Sequence, residues 1–223
     1  ASLRNLRQLQ ELLIANNNIA DIFPEWIGTS FPRLRKLKLL ENLAGPFWTN
    51  YLEKLPELEV FIVGCPQCDP SALPFADTLP SSMSRMARLK ILDCSYSAVN
   101  GWLPSLHNPL LEEIRFAHTK ISGPIPKAFS FLPSLTHLDL SHSALSGQIP
   151  DDIGKLTKLK TLNLQNTGLA GVLPASIGQL SSLEYLSLSL TALARELPPT
   201  FGNLTNLKEV SLDAWRNLGQ LPN

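Results

Sequence analysis

Four histidines, three cysteines and one N-glycosylation sequon are the residues of this 223-residue chain with chemistry of their own. His118 and His142 stand 24 residues apart (142 − 118), with His137, Asp139 and Glu113 close by in sequence. Imidazoles and carboxylates brought together could hold a first-row metal, or could form a patch that titrates near neutral pH. Charge pairing along Asp93, Arg115 and Asp139 accounts for the same residues without a ligand, and no metal site and no cofactor is assigned. Cys65 and Cys68 form CPQC. One such pair falls short of the four ligands of structural zinc, so it is read as either a local disulfide or two reduced thiols. Cys94 falls in an apolar column and reads as a small buried hydrophobe. The sequon is Asn203-Leu204-Thr205, an acceptor for a glycan in a secreted protein. No GxSxG, HExxH, Walker loop or dinucleotide fingerprint occurs, and no catalytic residue is expected.

These residues are positioned by a repeat. A frame of the form LxxLxLxxNxLxGxIPxxLG recurs nine times, with its cleanest copies at Leu135–Gly154 and Leu159–Gly178. One frame position is held by Leu12, Leu37, Phe61, Leu92, Ile114, Leu138, Leu162, Leu186 and Val210, giving spacings of 25, 24, 31, 22, 24, 24, 24 and 24. The alternation in LxL is that of a strand, with two apolar residues pointing one way and the residue between them the other. A unit of this size cannot bury its apolar face alone, so the units must stack, their strands forming a parallel sheet. The glycine before the Ile-Pro pair lets the backbone turn. Pro126, Pro150, Pro174 and Pro198 keep the return path extended or 3₁₀-like, which accounts for 18 prolines without disorder.

The LxGxIPxxLG half of the frame resembles the plant-specific class of leucine-rich repeat, found in ectodomains of receptor-like kinases and receptor-like proteins and in polygalacturonase-inhibiting proteins. GNLTNL at Gly202–Leu207 is typical of such ectodomains. The resemblance implies an α/β-type solenoid: a right-handed superhelix of about nine repeats, a concave parallel sheet and often a second short sheet. It implies a non-catalytic recognition domain for a protein, a peptide or a cell-wall glycan, at the cell surface or outside the cell. The alternative is an assembly scaffold within a larger complex. The chain departs from the family at the column that usually holds asparagine, which reads Asn17, Asn42, Pro66, Ser97, Thr119, Ser143, Thr167, Thr191 and Trp215. Hydroxyls can take over part of the asparagine's bonding to neighbouring turns. A regular Ser/Thr array also suggests an ice-binding solenoid, but only if the column faces solvent.

A single repeat domain over residues 1–223 is expected, irregular over 1–110 with an insertion near 65–79 and regular over 111–223. Ala1 falls inside a repeat and Asn223 follows a Leu-Pro pair, without the cysteine caps of family ectodomains, so the chain is expected to be a segment of a longer protein. No signal peptide, membrane span or lipidation motif is found, and membrane attachment would come only through segments outside these residues. Nineteen basic residues balance nineteen acidic ones, which speaks against nucleic acid as a partner. The outward strand positions are the expected partner-binding surface. Leu13, Leu40, Val60, Ile62 and Ile91 would form an apolar patch, followed by Asp93, Arg115, His137 and Asp139, then Tyr185 within a small-polar stretch.

Overall fold

The computed structural model describes residues 3–17, 26–41, 52–68, 78–194 and 196–214. Asn42, Trp215, the middle of the insertion (69–77) and residues 215–223 therefore lie outside the described residues. Nine short strands form one parallel sheet in chain order: Glu11–Ala15, Lys36–Leu40, Val60–Gly64, Ile91–Asp93, Glu113–Arg115, His137–Asp139, Thr161–Asn163, Tyr185–Ser187 and Glu209–Ser211. The register pairs Leu12 with Leu37, Leu37 with Phe61, Phe61 with Leu92, and so on to Leu186 with Val210. The frame column read from the sequence is thus the pairing register of the sheet. A second parallel sheet of five strands runs beside it: Asn100–Trp102, Lys120–Gly123, Ala144–Gly147, Gly168–Gly171 and Ala192–Leu193.

The convex side is built from 3₁₀ turns at Ser81–Arg85, Lys127–Phe131, Asp151–Lys155, Ala175–Gln179 and Pro199–Asn203. A proline caps each one: Pro80, Pro126, Pro150, Pro174 and Pro198, all extended with φ between −71° and −64°. The prolines therefore do more than block helix. Their fixed φ sets the extended entry from which each turn begins. Gly123, Gly147 and Gly171 have φ of 77°, 81° and 86°, the left-handed backbone needed before each Ile-Pro or Leu-Pro pair.

Between sheet and turns runs one apolar core. Leu92, Ile114, Leu138, Leu162 and Leu186 are fully buried along one column, with Leu140, Leu164, Leu188 and Cys94 along the next. Cys94 is the free cysteine, buried, with its thiol pushed well above the ordinary range by loss of hydration and then by the Asp93 charge. Just outside the strands lies a row of alternating charge, Arg35, Glu59, Lys90, Glu112, Lys160, Glu184 and Lys208, interrupted by the uncharged Thr136 between Glu112 and Lys160. Glu59 takes Lys90 at 3.0 Å and Arg35 on its other oxygen, and these two bonds hold its carboxyl below the usual range. Such exposed pairs contribute little energy each, but alternation penalises a shifted register.

The irregular half shows how a broken period is tolerated. In the short repeat ending at Leu111, no 3₁₀ turn forms between Leu103 and Leu110. Asn108 fills the gap: fully buried, its amide donates to the carbonyls of Met83 (3.0 Å) and Met86 (2.8 Å) at the end of the previous turn. At the long repeat, Cys65 donates its backbone N–H to Tyr96 rather than to Ser95, a one-residue shift in the ladder. Gly64 makes the shift fit, because a Cβ there would lie 1.9 Å from the Ser95 carbonyl oxygen.

Two stability predictions follow from this packing. Leu138→Ala empties a fully buried position and should lower unfolding free energy by ~2–5 kcal/mol in chemical denaturation. Gly64→Ala should lower it by more than about 2 kcal/mol although it adds only a methyl, because backbone must move. A neutral Gly64→Ala would show that the strands Val60–Gly64 and Ile91–Asp93 are not joined as described.

Candidate functional site

The concave sheet presents its outward side chains in columns. The first reads Glu11, Lys36, Val60, Ile91, Glu113, His137, Thr161, Tyr185 and Glu209, and the second Leu13, Lys38, Ile62, Asp93, Arg115, Asp139, Asn163, Ser187 and Ser211. This register narrows the expected apolar patch. Lys36 and Lys38 stand between Leu13, 60% exposed, and the cluster of Val60, Ile62 and Ile91. Leu40 lies across from Gly64, beside that cluster. The expected charge row is also cut. Arg115 reaches Glu113 at 2.7 Å and Asp93 at 3.9 Å. Asp139 instead accepts the backbone N–H and the hydroxyl of Ser141, at 3.0 and 2.7 Å, and the amide of Asn163 at 3.2 Å. His137 turns to the Thr136 hydroxyl, 2.9 Å from its Nδ1. Tyr185 lies two strands further on, next to Thr161 and Glu209.

After eight of the nine strands, one residue past Ala15 and Leu40 and three residues past the other six, the chain enters left-handed backbone at a non-glycine residue. Asn16, Glu41, Tyr96, His118, His142, Asn166, Leu190 and Ala214 all have φ between 51° and 67°. Such a conformation is unfavourable for a side-chain-bearing residue, yet the backbone N–H of all but Ala214 still reaches the next repeat, as in Tyr96 to Ala117, His118 to Ser141, His142 to Gln165 and Asn166 to Ser189. Extending the hydrogen-bond ladder by one rung per repeat offsets the strain. The turn also swings these side chains into a wall. The Tyr96 and His118 rings stack at 4.6 Å and 14°, and the His118 and His142 rings at 4.1 Å and 8°. Asn166 continues the row, its amide nitrogen 3.0 Å from His142 Nδ1. An amide N–H donates, so Nδ1 accepts and the neutral His142 carries its proton on Nε2. The side-by-side placement of the two histidines was legible from their shared column; their stacking, and the part of Tyr96 in it, was not.

Between the ring wall and the second column lies a row of small side chains, Ser95, Ala117 and Ser141, with Ala117 and Ser141 buried at its base. Asp93, Arg115 and Asp139 stand along one side and Tyr96, His118 and His142 along the other. The result is a trough that crosses the strands. Sequence reasoning missed it because small residues draw no attention singly; the signal was their position two residues after the outward charge in three successive repeats.

The Ser/Thr column does not face solvent. Thr119, Ser143, Thr167 and Thr191 donate to the carbonyl three residues earlier in their own repeat, at 2.8, 2.7, 2.9 and 2.7 Å, and Ser97 does the same to Cys94. This corrects the expectation of bonds to neighbouring turns: a hydroxyl is too short to reach across and closes a local loop. Cys65 and Cys68 are disulfide-bonded, with Cα atoms 5.3 Å apart. Asn203 is exposed at the end of its 3₁₀ turn. Among the described residues no three His, Cys, Asp or Glu side chains converge to hold a metal, and no helix is long and apolar enough to cross a membrane.

The His118 side chain titrates below its ordinary 6.5, first because burial removes hydration and second because His142 repels a second positive charge; Asp139 opposes both. A base whose pKa is lowered on folding supplies stability that is present above its unfolded value and lost as pH falls through the folded one. The melting temperature should therefore drop between roughly pH 7 and pH 5. The drop should be smaller in His118→Phe, which keeps a ring without a proton. Equal slopes would remove His118 as the cause.

A family model for a leucine-rich repeat region matches residues 130–221, and a leucine rich repeat model matches residues 8–30. No curated protein matches the sequence significantly. Among solved structures, the chain is similar to a TDR receptor, at 26% identity and TM-score 0.73, over 95% of this chain and 40% of that one. It is also similar to the ectodomain of the membrane receptor kinase GASSHO1/SCHENGEN3 from Arabidopsis thaliana, solved in complex with Casparian strip integrity factor 2. That match has 26% identity and TM-score 0.71, over 94% of this chain and 27% of that one. A plant ice-binding protein shares the fold at 18% identity and TM-score 0.57, over 91% of this chain and 80% of that one. The chain thus spans well under half of either receptor. Frame, sheets and matches together make it a leucine-rich repeat protein of the plant type, similar to receptor-kinase ectodomains.

Proposed function

We propose that the chain is the recognition part of an extracellular protein, and that its concave trough holds an extended segment of a peptide or protein partner. The trough carries this reading. A base of small side chains, Ser95, Ala117 and Ser141, runs beside three rings that are already stacked without a ligand, which reduces the entropy lost on binding. The cluster of Val60, Ile62 and Ile91 with Leu40 continues the trough toward the first repeats and offers an apolar anchor. Asp93, Arg115, His137 and Asp139 supply polar contacts midway, and Tyr185 lies toward the far end. A partner bound to a related ectodomain, as in the GASSHO1/SCHENGEN3 complex, supports a binding role. The ice-binding neighbour shares the fold alone, and the Ser/Thr column of this chain spends its hydroxyls on its own carbonyls, which disfavours an ice-matching array.

Panning a random-peptide display library on the purified protein tests the reading. Ala117→Trp fills the trough floor and should weaken the enriched peptides by ~10-fold or more. Tyr96→Ala, which removes one end of the wall, should weaken them too with a melting temperature near wild type, whereas Ala117→Trp, at a buried position, should melt lower but still show a cooperative unfolding transition. Peptides that bind both variants as well as wild type would sink the trough. Expression through a eukaryotic secretory pathway should yield a glycosidase-sensitive mass increase that disappears in Asn203→Gln. A secreted chain without that increase would count against Asn203 as a glycan site.

A further inference from the structure

The second sheet carries an aromatic residue that the core does not use. Trp102 is 71% exposed at the end of the strand Asn100–Trp102. Its ring lies on Gly123 of the next repeat: a Cβ there would be 2.9 Å from Cδ1, 2.9 Å from Nε1 and 3.1 Å from Cγ. Nearly equal distances to three atoms of one five-membered ring place Gly123 beneath the ring face, so the other face is open to solvent. No hydrogen-bond acceptor among the described residues takes the indole N–H. Trp26, by contrast, packs edge-on against Phe31 and under the Arg4 guanidinium.

A groove begins where this ring ends. Pro124 follows Gly123 directly and, with Pro126, Ile149 and Pro150, walls a cavity of about 540 Å³. Lys127, Gln148, Asp151 and Asp152 line it as well. Asp152 is tied to Lys155, and its carboxyl is held below the usual range by that bond. Lys127, Gln148 and Asp151 remain as donors and acceptors, and the groove is close to electrically neutral.

We propose that Trp102 and this groove bind a neutral, β-linked oligosaccharide. A pyranose with equatorial hydroxyls has a flat C–H face, and the negative face of an indole attracts those weakly positive hydrogens. The next sugar along would then lie one to two repeats away, about 5–10 Å, over the groove. There an amide, a carboxylate and an ammonium group meet its hydroxyls. The neutral balance of charge gives no advantage to a uronate chain. A proline-rich peptide fits less well, because such ligands dock in aromatic-lined grooves and no aromatic residue lines this groove among the described residues. The site is on a different sheet from the trough and does not depend on the peptide-binding reading.

Calorimetric titration with cellohexaose tests the assignment. Wild type should bind, Trp102→Ala should bind at least ~10-fold more weakly, and Trp102→Phe should fall between. The indole is exposed, so thermal melting should show Trp102→Ala folded as wild type, and Ala117→Trp should bind the sugar normally. Absence of cellohexaose binding, equal binding by Trp102→Ala, or binding of a polyproline peptide in its place would overturn the proposal. Loss of sugar binding in Ala117→Trp alone would move the site to the trough and overturn it equally.

Discussion

A strand of three to five residues with leucines beneath it can satisfy neither its backbone nor its side chains alone. Each strand here finds its hydrogen-bond partners only in the repeats on either side, and each leucine column is covered only by the next leucine column. Cooperation between neighbours is therefore the condition for any structure at all. It also explains why one column of the frame, from Leu12 to Val210, is at once the core and the register. Slipping one repeat by one residue would turn its buried residues outward and break the ladder with both neighbours.

The same condition shapes the concave surface. Because the ladder must continue beyond the strand, one residue per repeat is held in left-handed backbone so that its N–H still meets the next carbonyl. Where that residue is an aromatic ring, the constant step between repeats brings ring against ring. The wall of Tyr96, His118 and His142 is thus a consequence of the repeat spacing and of side-chain identity together. The trough beside it arises because three successive repeats place a small residue at the base of that wall.

Irregularity is confined to places where the ladder can be repaired. Asn108 replaces a missing turn with two hydrogen bonds from one side chain. Gly64 lets the backbone approach Ser95 more closely than any other residue could. Both repairs are specific to one residue type, and both sit on the same side of Ile114, where the spacing departs from 24.

Much of the fold was legible in the sequence because a period with fixed apolar, glycine and proline columns has one stable solution. The strand register, the 3₁₀ return and the burial of Cys94 could be read residue by residue. The outward columns could also be read, since alternation fixes which side chains leave the core. Which of them meet was decided by distance in space. Lys36 and Lys38 divide the apolar residues, Arg115 chooses Glu113 and Asp93 over Asp139, and the Ser/Thr hydroxyls turn to their own strand. Side-chain reach and torsion settle those choices, and they carry no period. The sequence alone determined a stacked solenoid with a presented surface, because burial of leucines is a nearest-neighbour problem written in the spacing. Only the tertiary structure decided that the surface holds a ring-walled trough and an open indole, because those depend on where three or four side chains from different repeats come to rest.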